Sequence, residues 1–387
     1  MSAAAPRTKV AFAISHSEAA GAQAIWADLA AAFRQRGHDV SLIALYPGKN
    51  GAMQVHDGMD WDHCLPHTPR PGLDAARALG GAVRLLRSKA PRAIFTALPA
   101  ANVVFPLANR LGGAGAQVFT SHHSPVATYN PAISRMDGWV GASRAVDGIV
   151  CVSQAVRDSM SGRAGAYAAK AMVITNALPP VVEERIRQLR LTPAARPYEA
   201  SPGASPDAPA GCRVVASGRL AAQKNYPVLI RAMAHVPGAT LEVIGAGPDE
   251  AALRQLAAEC GVAGRITFAG LKPRNDTLAT VAAADIFVQP SLFEGHSLAL
   301  VEAAKLGLPL VVSDVPSQVE GVTRRDGTLC ALLHDLHDHA GLAQAIRSLA
   351  DDVRLRETYR ALAASLGEEV CFSDMVDRYE ALLPRAA

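Results

Sequence analysis

No stretch of the 387-residue chain approaches the ~18 uninterrupted apolar residues of a membrane-spanning helix; its longest apolar runs, such as Pro309–Val312, are strand-sized. Apolar residues still make up 50% of the chain and charged residues only 19%, which excludes a disordered protein and predicts large buried cores in a soluble one. Cysteine is sparse and scattered. The closest pair among Cys64, Cys151, Cys212, Cys260, Cys330 and Cys371 is 41 positions apart, so neither a C-x-x-C site nor a disulfide framework is available. A signal peptide is missing too: Arg7 and Lys9 precede only the short apolar Val10–Ile14, which reads as a first strand. A cytoplasmic protein with reduced thiols is expected.

The length predicts two domains at ~100 to 200 residues each. Five prolines among Ala, Ser and Gly in Thr192–Gly211 mark a connection, placing one domain over 1–175, a linker over 176–210 and a second domain over 211–387, whose last helix is expected to return to the first domain. Charge divides along the same line: 17 basic against 10 acidic residues in 1–175, and 17 against 21 in 211–387. The basic front half suits an anionic ligand or membrane surface. In both halves short β-rich runs alternate with helical patterns, as in Arg213–Ala216, Thr240–Ile244, Ile266–Phe268, Ile286–Gln289 and Pro309–Ser313 with helices between them. That rhythm predicts an α/β protein of two doubly wound, Rossmann-like domains facing a cleft, with ligands at the carboxyl ends of the strands.

Candidate chemistry concentrates in 216–318. Arg219 and Lys224 follow the strand Arg213–Ala216, one a planar fork and the other a mobile point charge, a pair suited to a diphosphate. Farther on, Glu294-Gly295-His296-Ser297-Leu298 leads into a helix carrying Glu302; Gly295 lets backbone amides approach a ligand and the helix start favours an anion. The two glutamates are eight positions apart, about 12 Å at ~1.5 Å per helical residue, too far for an acid and base acting on one bond and suited to opposite ends of an elongated ligand.

These residues resemble a known family, the retaining nucleotide-sugar glycosyltransferases of family four, with the GT-B fold. The resemblance lies in Ser217-Gly218-Arg219-Leu220 with Lys224-Asn225, Ile244-Gly245-Ala246-Gly247-Pro248, Phe268-Ala269-Gly270, Ala284-Asp285 with Pro290-Ser291, and the E-x₇-E pair Glu294 and Glu302, in family order. It implies that Arg219 and Lys224 clamp the donor diphosphate, Glu302 holds the ribose hydroxyls and Glu294 the transferred sugar. Leu271 and Lys272 after Gly270 are similar to the base-binding segment. In the first domain Thr120-Ser121-His122 resembles the strand-end histidine that approaches the sugar, and Gly21 the glycine turn facing the donor phosphate, with Ala20 where a second glycine is usual. His296 and Ser297 replace the commoner Phe-Gly, a departure that bears on sugar selectivity.

The resemblance implies a UDP- or GDP-sugar donor, a saccharide or lipid-linked acceptor and a place in cell-surface polysaccharide or glycolipid assembly, with no nucleic-acid partner. Fixed cations at the departing diphosphate remove the need for a divalent metal. A sugar-nucleotide epimerase and a non-catalytic two-domain sugar-binding protein are the alternatives; a dehydrogenase is disfavoured because no G-x-G-x-x-G follows the first strand. The His334-Asp335-Leu336-His337-Asp338-His339 tract has metal-ligand residue types or forms a polar entry loop to a helix. Arg77, Arg84, Arg87, Lys89 and Arg92 lie on or after a helix and form a solvated face that can meet anionic lipid heads at the inner face of the plasma membrane.

Overall fold

The computed structural model describes residues 7–48, 58–70, 73–191 and 211–384. The chain divides into two compact units, Met1–Asn176 with Phe372–Ala387, and Ala177–Cys371.

The first unit is a seven-stranded sheet of β1 (Lys9–His16), β2 (Asp39–Tyr46), β3 (Trp61–His63), β4 (Ala93–Ala97), β5 (Gln117–His122), β6 (Gly148–Cys151) and β7 (Ala171–Val173). Its order is β3-β2-β1-β4-β5-β6-β7, and every pairing is parallel. The second unit holds β8 (Arg213–Ser217), β9 (Thr240–Ile244), β10 (Ile266–Gly270), β11 (Ile286–Gln289), β12 (Leu310–Ser313) and β13 (Ala331–His334), in the parallel order β10-β9-β8-β11-β12-β13. Both sheets are Rossmann-like. Each reverses strand order once, between β1 and β4 and between β8 and β11, and such reversals open a crevice at the carboxyl ends of the strands. The central strands read as continuous apolar runs because helices cover both faces: Val10–Ile14 and Ile286–Val288 are buried throughout.

One of the expected boundaries is revised. Residues 180–191, expected to be linker, form a helix, Pro180–Leu191, whose Val182 and Ile186 sit four apart and pack into the second unit's core with Leu278, Val281 and Leu300. Glu183 adds an ion pair to Lys305 at 2.8 Å. The proline-rich 192–210 lie outside the described residues. At the other end, 372–387 group with the first unit. The helix Phe372–Glu380 buries Met375, Val376 and Tyr379, and the Tyr379 ring meets Phe95 at 5.4 Å and Trp26 at 6.0 Å, edge to face. Those rings continue the cluster in which Phe12 touches Trp26, Phe33 and Phe95 at 5.3 to 5.5 Å. Arg36 bridges Asp377 at 2.6 Å, and His38 meets Glu380 at 2.8 Å.

The last helix therefore completes a core begun some 350 residues earlier in the chain. Tyr379→Ala is expected to cost about 3 to 5 kcal/mol of first-unit stability, the range for deleting a buried aromatic ring. Urea unfolding followed by the emission of the three tryptophans, all in the first unit, measures it, and a loss below about 1 kcal/mol contradicts the packing described.

Candidate active site

The second unit collects most of the expected site at one sheet edge. Arg219 and Lys224 follow β8, and Glu294 to Ser297 follow β11, the two strands that flank the order reversal. Backbone contacts shape the first loop. Gly245, at φ 140°, passes so close to the Gly218 carbonyl that a Cβ there would lie 2.1 Å from its oxygen, and one at Gly247 would lie 2.2 Å from the Leu220 oxygen. Only glycine fits either place. The contact is locked by Gly218 N–H donating to Ile244 O at 2.9 Å and Leu220 N–H to Ala246 O at 3.0 Å. The Gly-Ala-Gly run is thus the support behind the Arg219 turn.

Lys224 donates to Glu294 Oε1 at 2.7 Å across the two loops, both side chains largely buried. Gln223 ties the same loops again, donating through Nε2 to Phe293 O at 3.1 Å while its backbone carbonyl accepts from Leu292 N at 2.8 Å. Arg219 is exposed and makes no ion pair among the described residues. Ser297 caps the helix Leu298–Leu306, accepting from Leu300 N, and donates to Gln289 Oε1 at 2.8 Å. Gln289 in turn donates to Gln318 Oε1 at 3.0 Å, and Gln318 donates to Ser291 O at 3.2 Å and to the Ser313 hydroxyl. This buried chain of amides and hydroxyls fixes the helix start and its free N–H groups beside the Lys224–Glu294 pair. His296, between them, is a neutral imidazole near physiological pH, because burial pushes it down to about 4.

Glu302 lies on the helix, buried, and its Oε1 accepts from Arg274 Nε at 3.0 Å and Nη2 at 2.9 Å. Burial raises its pKa above the ordinary carboxylate value, and Arg274 opposes the rise. The helix begins only at Leu298, so the eight positions from Glu294 to Glu302 are part loop, and the spacing argument that treated them as continuous helix does not hold. Leu271 is exposed, whereas Lys272 is engaged, donating to Glu242 Oε1 at 2.6 Å and Thr280 Oγ1 at 3.0 Å. Gln289, Gln318, Gln223 and Arg274 carry no motif signal; each acts on a partner 27 to 70 positions away, besides the nearer Gln289 to Ser297 and Gln318 to Ser313 links.

In the first unit Gly21 opens the helix Gly21–Gln35 after β1, with open space around it and an Ala20 N-cap that makes no side-chain bond. Gln23 binds that helix to the strand end, donating to His16 O at 2.9 Å. His122 ends β5 but is fully buried: Nδ1 meets Tyr129 Oη at 3.1 Å, and Nε2 meets Tyr167 Oη at 3.1 Å and Asp137 Oδ1 at 3.6 Å. Desolvation lowers its pKa, with Asp137 opposing and Arg163 assisting. Both its nitrogens serve this internal network, which corrects the expectation of a ring presented to the sugar. Its neighbour His123 is only half-buried, packs edge-on to Trp26 and meets Ser121 Oγ at 3.1 Å, and burial pushes it down to about 3.

The histidine tract is an entry loop. Asp338 caps the helix His339–Asp351, His334 ends β13 with Nδ1 against Asp335 O at 2.8 Å, and His339 stacks on His235. The one Asp-x-Asp spacing, Asp60-Trp61-Asp62, lies at the edge strand β3, with Asp62 paired to Lys89 at 2.7 Å. Among the described residues no group of three or more His, Cys, Asp or Glu side chains is placed to hold a metal ion, and no helix is long and apolar enough to cross a membrane.

Comparison with known proteins places the chain in a family. Residues 211–365 match the family described as Glycosyl transferases group 1, and residues 19–180 match Glycosyltransferase Family 4. The chain belongs to the family 4 glycosyltransferases. It is 36% identical over 151 residues to the lipopolysaccharide core biosynthesis glycosyltransferase LpsE of Rhizobium meliloti, covering 39% of this chain and 43% of that protein. It is 30% identical over 274 residues to 2-deoxystreptamine N-acetyl-D-glucosaminyltransferase of Streptomyces fradiae, covering 67% and 62%. The chain thus aligns with less than two thirds of the length of these relatives. Solved structures share the fold over nearly the whole chain: HepE of Anabaena in complex with UDP and glucose (TM-score 0.77, 19% identity, 97% and 98% covered) and WaaG, a glycosyltransferase of lipopolysaccharide biosynthesis (0.73, 14%, 97% and 100%). The fold is that of the GT-B glycosyltransferases.

The Glu302–Arg274 contact has a pH signature. A carboxyl whose folded pKa is raised binds its proton more tightly in the fold, so ionising it costs stability, and that cost grows as pH rises from the unfolded value toward and past the folded one. Arg274→Gln removes the opposing charge and enlarges the cost, so it is expected to destabilise the second unit by about 1 to 3 kcal/mol at pH 7.5 and by less at pH 5. Adding Glu302→Gln should abolish that difference. Urea unfolding at both pH values is the check; an equal loss at both contradicts the assignment.

Proposed function

We propose that the chain transfers a sugar from a nucleoside-diphosphate sugar to a hydroxyl of a saccharide or lipid-linked acceptor, with retention at the anomeric carbon, in assembly of a lipopolysaccharide or related cell-surface polysaccharide. The observation that carries this reading is the Lys224–Glu294 pair seated between Arg219 and a capped helix start at the order reversal of the second sheet. Breaking the bond from the sugar's anomeric carbon to the outer phosphate gathers negative charge on the departing diphosphate. Arg219, Lys224 and the helix amides are fixed donors for that charge, so they stabilise the transition state more than the ground state. With the cations supplied by the protein, the proposal includes no divalent metal, and turnover should persist in EDTA.

In the same reading Glu302 takes the ribose hydroxyls, with Arg274 holding one of its oxygens, and Leu271 and Lys272 border the base. Glu294 faces hydroxyls of the sugar in flight. Retention follows the family resemblance. The UDP and glucose bound in the HepE structure support a uridine diphosphate sugar as the first donor to test. LpsE, and WaaG at the level of fold, support the lipopolysaccharide setting; a peripheral place on the cytoplasmic side of the membrane belongs to the same reading and rests on the basic front half of the chain.

Thermal shift with UDP, GDP, ADP and their sugars identifies the nucleotide, since a ligand specific to the folded state raises its stability. Proton NMR of the product then reads the anomer. A new glycoside with inverted configuration overturns retention, and donor-only conversion to an epimer overturns transfer in favour of an epimerase.

The two glutamates separate in the same assays. Glu302→Ala is expected to weaken binding of the product nucleoside diphosphate by about 1.5 to 3 kcal/mol, losing charge-assisted hydrogen bonds. Glu294→Ala frees the Lys224 ammonium, so nucleotide affinity should hold or rise slightly while turnover falls. Calorimetric titration beside initial rates tests both, and equal losses of affinity contradict the division of roles.

A further inference from the structure

We propose that the first unit touches an anionic lipid surface through one face, formed where two neighbouring helices end: Trp139 and Met136 with Arg135 and Arg144, flanked by Leu111 and Arg110. This rests on the peripheral location proposed above and names the surface that produces it.

The helix Pro131–Ala142 buries Asp137, Val140 and Gly141 and turns Arg135, Met136 and Trp139 outward, three and four positions apart on one side. Trp139 is 74% exposed and Met136 50%. An aromatic that large is ordinarily covered; the other two tryptophans, Trp26 and Trp61, are 0% and 7% exposed. The helix Pro99–Gly112 packs beside it and ends on exposed Arg110 and on Leu111, 65% exposed. Both helices follow neighbouring strands of one parallel sheet, β4 and β5, and run back against them. Their carboxyl ends therefore meet at the amino edge of the sheet, opposite the edge that carries Gly21. A surface docked there leaves the ligand edge of the sheet free.

Charge selects the occupant. From His123 to Val146 the only acidic residue is Asp137, and it is buried, accepting from Tyr167 Oη at 2.9 Å. Arg135 and Arg144 are exposed and form no ion pair among the described residues. By contrast, the basic helix singled out in the sequence is partly neutralised: Arg77 pairs with Asp74 at 3.0 Å and Lys89 with Asp62 at 2.7 Å, while Arg87 donates to Gly112 O. A tryptophan and a thioether among unpaired arginines match the boundary of an anionic bilayer, where the ring sits at headgroup depth and the guanidinium groups meet lipid phosphates.

The three tryptophans make the test direct, because only Trp139 is open to solvent. The full chain is titrated with vesicles of phosphatidylcholine alone and of phosphatidylcholine with phosphatidylglycerol, with tryptophan emission, quenching by brominated lipid and co-sedimentation as readouts. The expected result is a blue shift and quenching on the anionic vesicles that weaken as salt rises. Trp139→Ala should remove the optical change and weaken co-sedimentation about tenfold, and Arg135→Glu with Arg144→Glu should weaken it similarly. All variants should keep the nucleoside diphosphate affinity of the parent chain, which separates this surface from the transfer site. Equal binding to neutral and anionic vesicles, or no binding to either, overturns the proposal together with the peripheral location. Anionic binding that both variants retain overturns this face alone. A concentration-dependent dimer in sedimentation velocity that Trp139→Ala abolishes also overturns it, assigning the face to a second copy of the chain.

Discussion

Two carboxylates drawn out of water, each beside one cation, are the constraint around which the second unit is arranged. Glu294 is 7% exposed and Glu302 9%, and an unpaired carboxylate at that depth costs several kcal/mol. Lys224 answers the first from the loop after β8, and Arg274 answers the second from the helix Arg274–Ala282. The two pairs fasten three separate segments around the start of the helix Leu298–Leu306. Such burial is poor economy for stability alone, since apolar residues of similar volume often serve as well. It is coherent for a site in which ligand hydroxyls and phosphates complete the hydrogen bonding.

The backbone makes the arrangement possible before any side chain takes part. Parallel strands flanking an order reversal diverge at their carboxyl ends, which opens room beside β8 and β11. Close approach of Gly245 and Gly247 to the Gly218–Leu220 turn then sets where Arg219 leaves the chain. The Gln289, Gln318, Ser291 and Ser313 network anchors the opposite wall. A rigid cradle of this kind holds donors at fixed positions, which is what stabilisation of a developing charge demands.

Much of this was legible in the sequence. The alternation of apolar runs with helical patterns located eleven of the thirteen described strands within a few residues, because buried parallel strands are short continuous apolar segments. The two that escaped each lie at a sheet edge: β3, of three residues including polar Asp62 and His63, and β13, whose Ala331–His334 ends inside the histidine tract. The hidden helix Pro180–Leu191 shows how a low-hydropathy stretch with acidic and basic residues looks like linker when its stripe is only Val182 and Ile186. Motif order located Arg219, Lys224, Glu294 and Glu302, but motif order says nothing of depth. His122 matched a pattern and turned out to be enclosed by Tyr129, Tyr167 and Asp137, contributed by other parts of the chain. Arg274 escaped for the same reason, since its meaning depends on a partner 28 positions away.

The central claim is that the cation held by Glu294 is the one that receives the nucleotide's phosphates. A double-mutant cycle of Lys224→Met and Glu294→Gln, read by calorimetric titration with UDP, measures it most directly. The account predicts that Lys224→Met weakens UDP binding at least tenfold, and that its effect is at least as large in the Glu294→Gln background, where no carboxylate competes for the ammonium. UDP affinity unchanged by Lys224→Met in both backgrounds would contradict it.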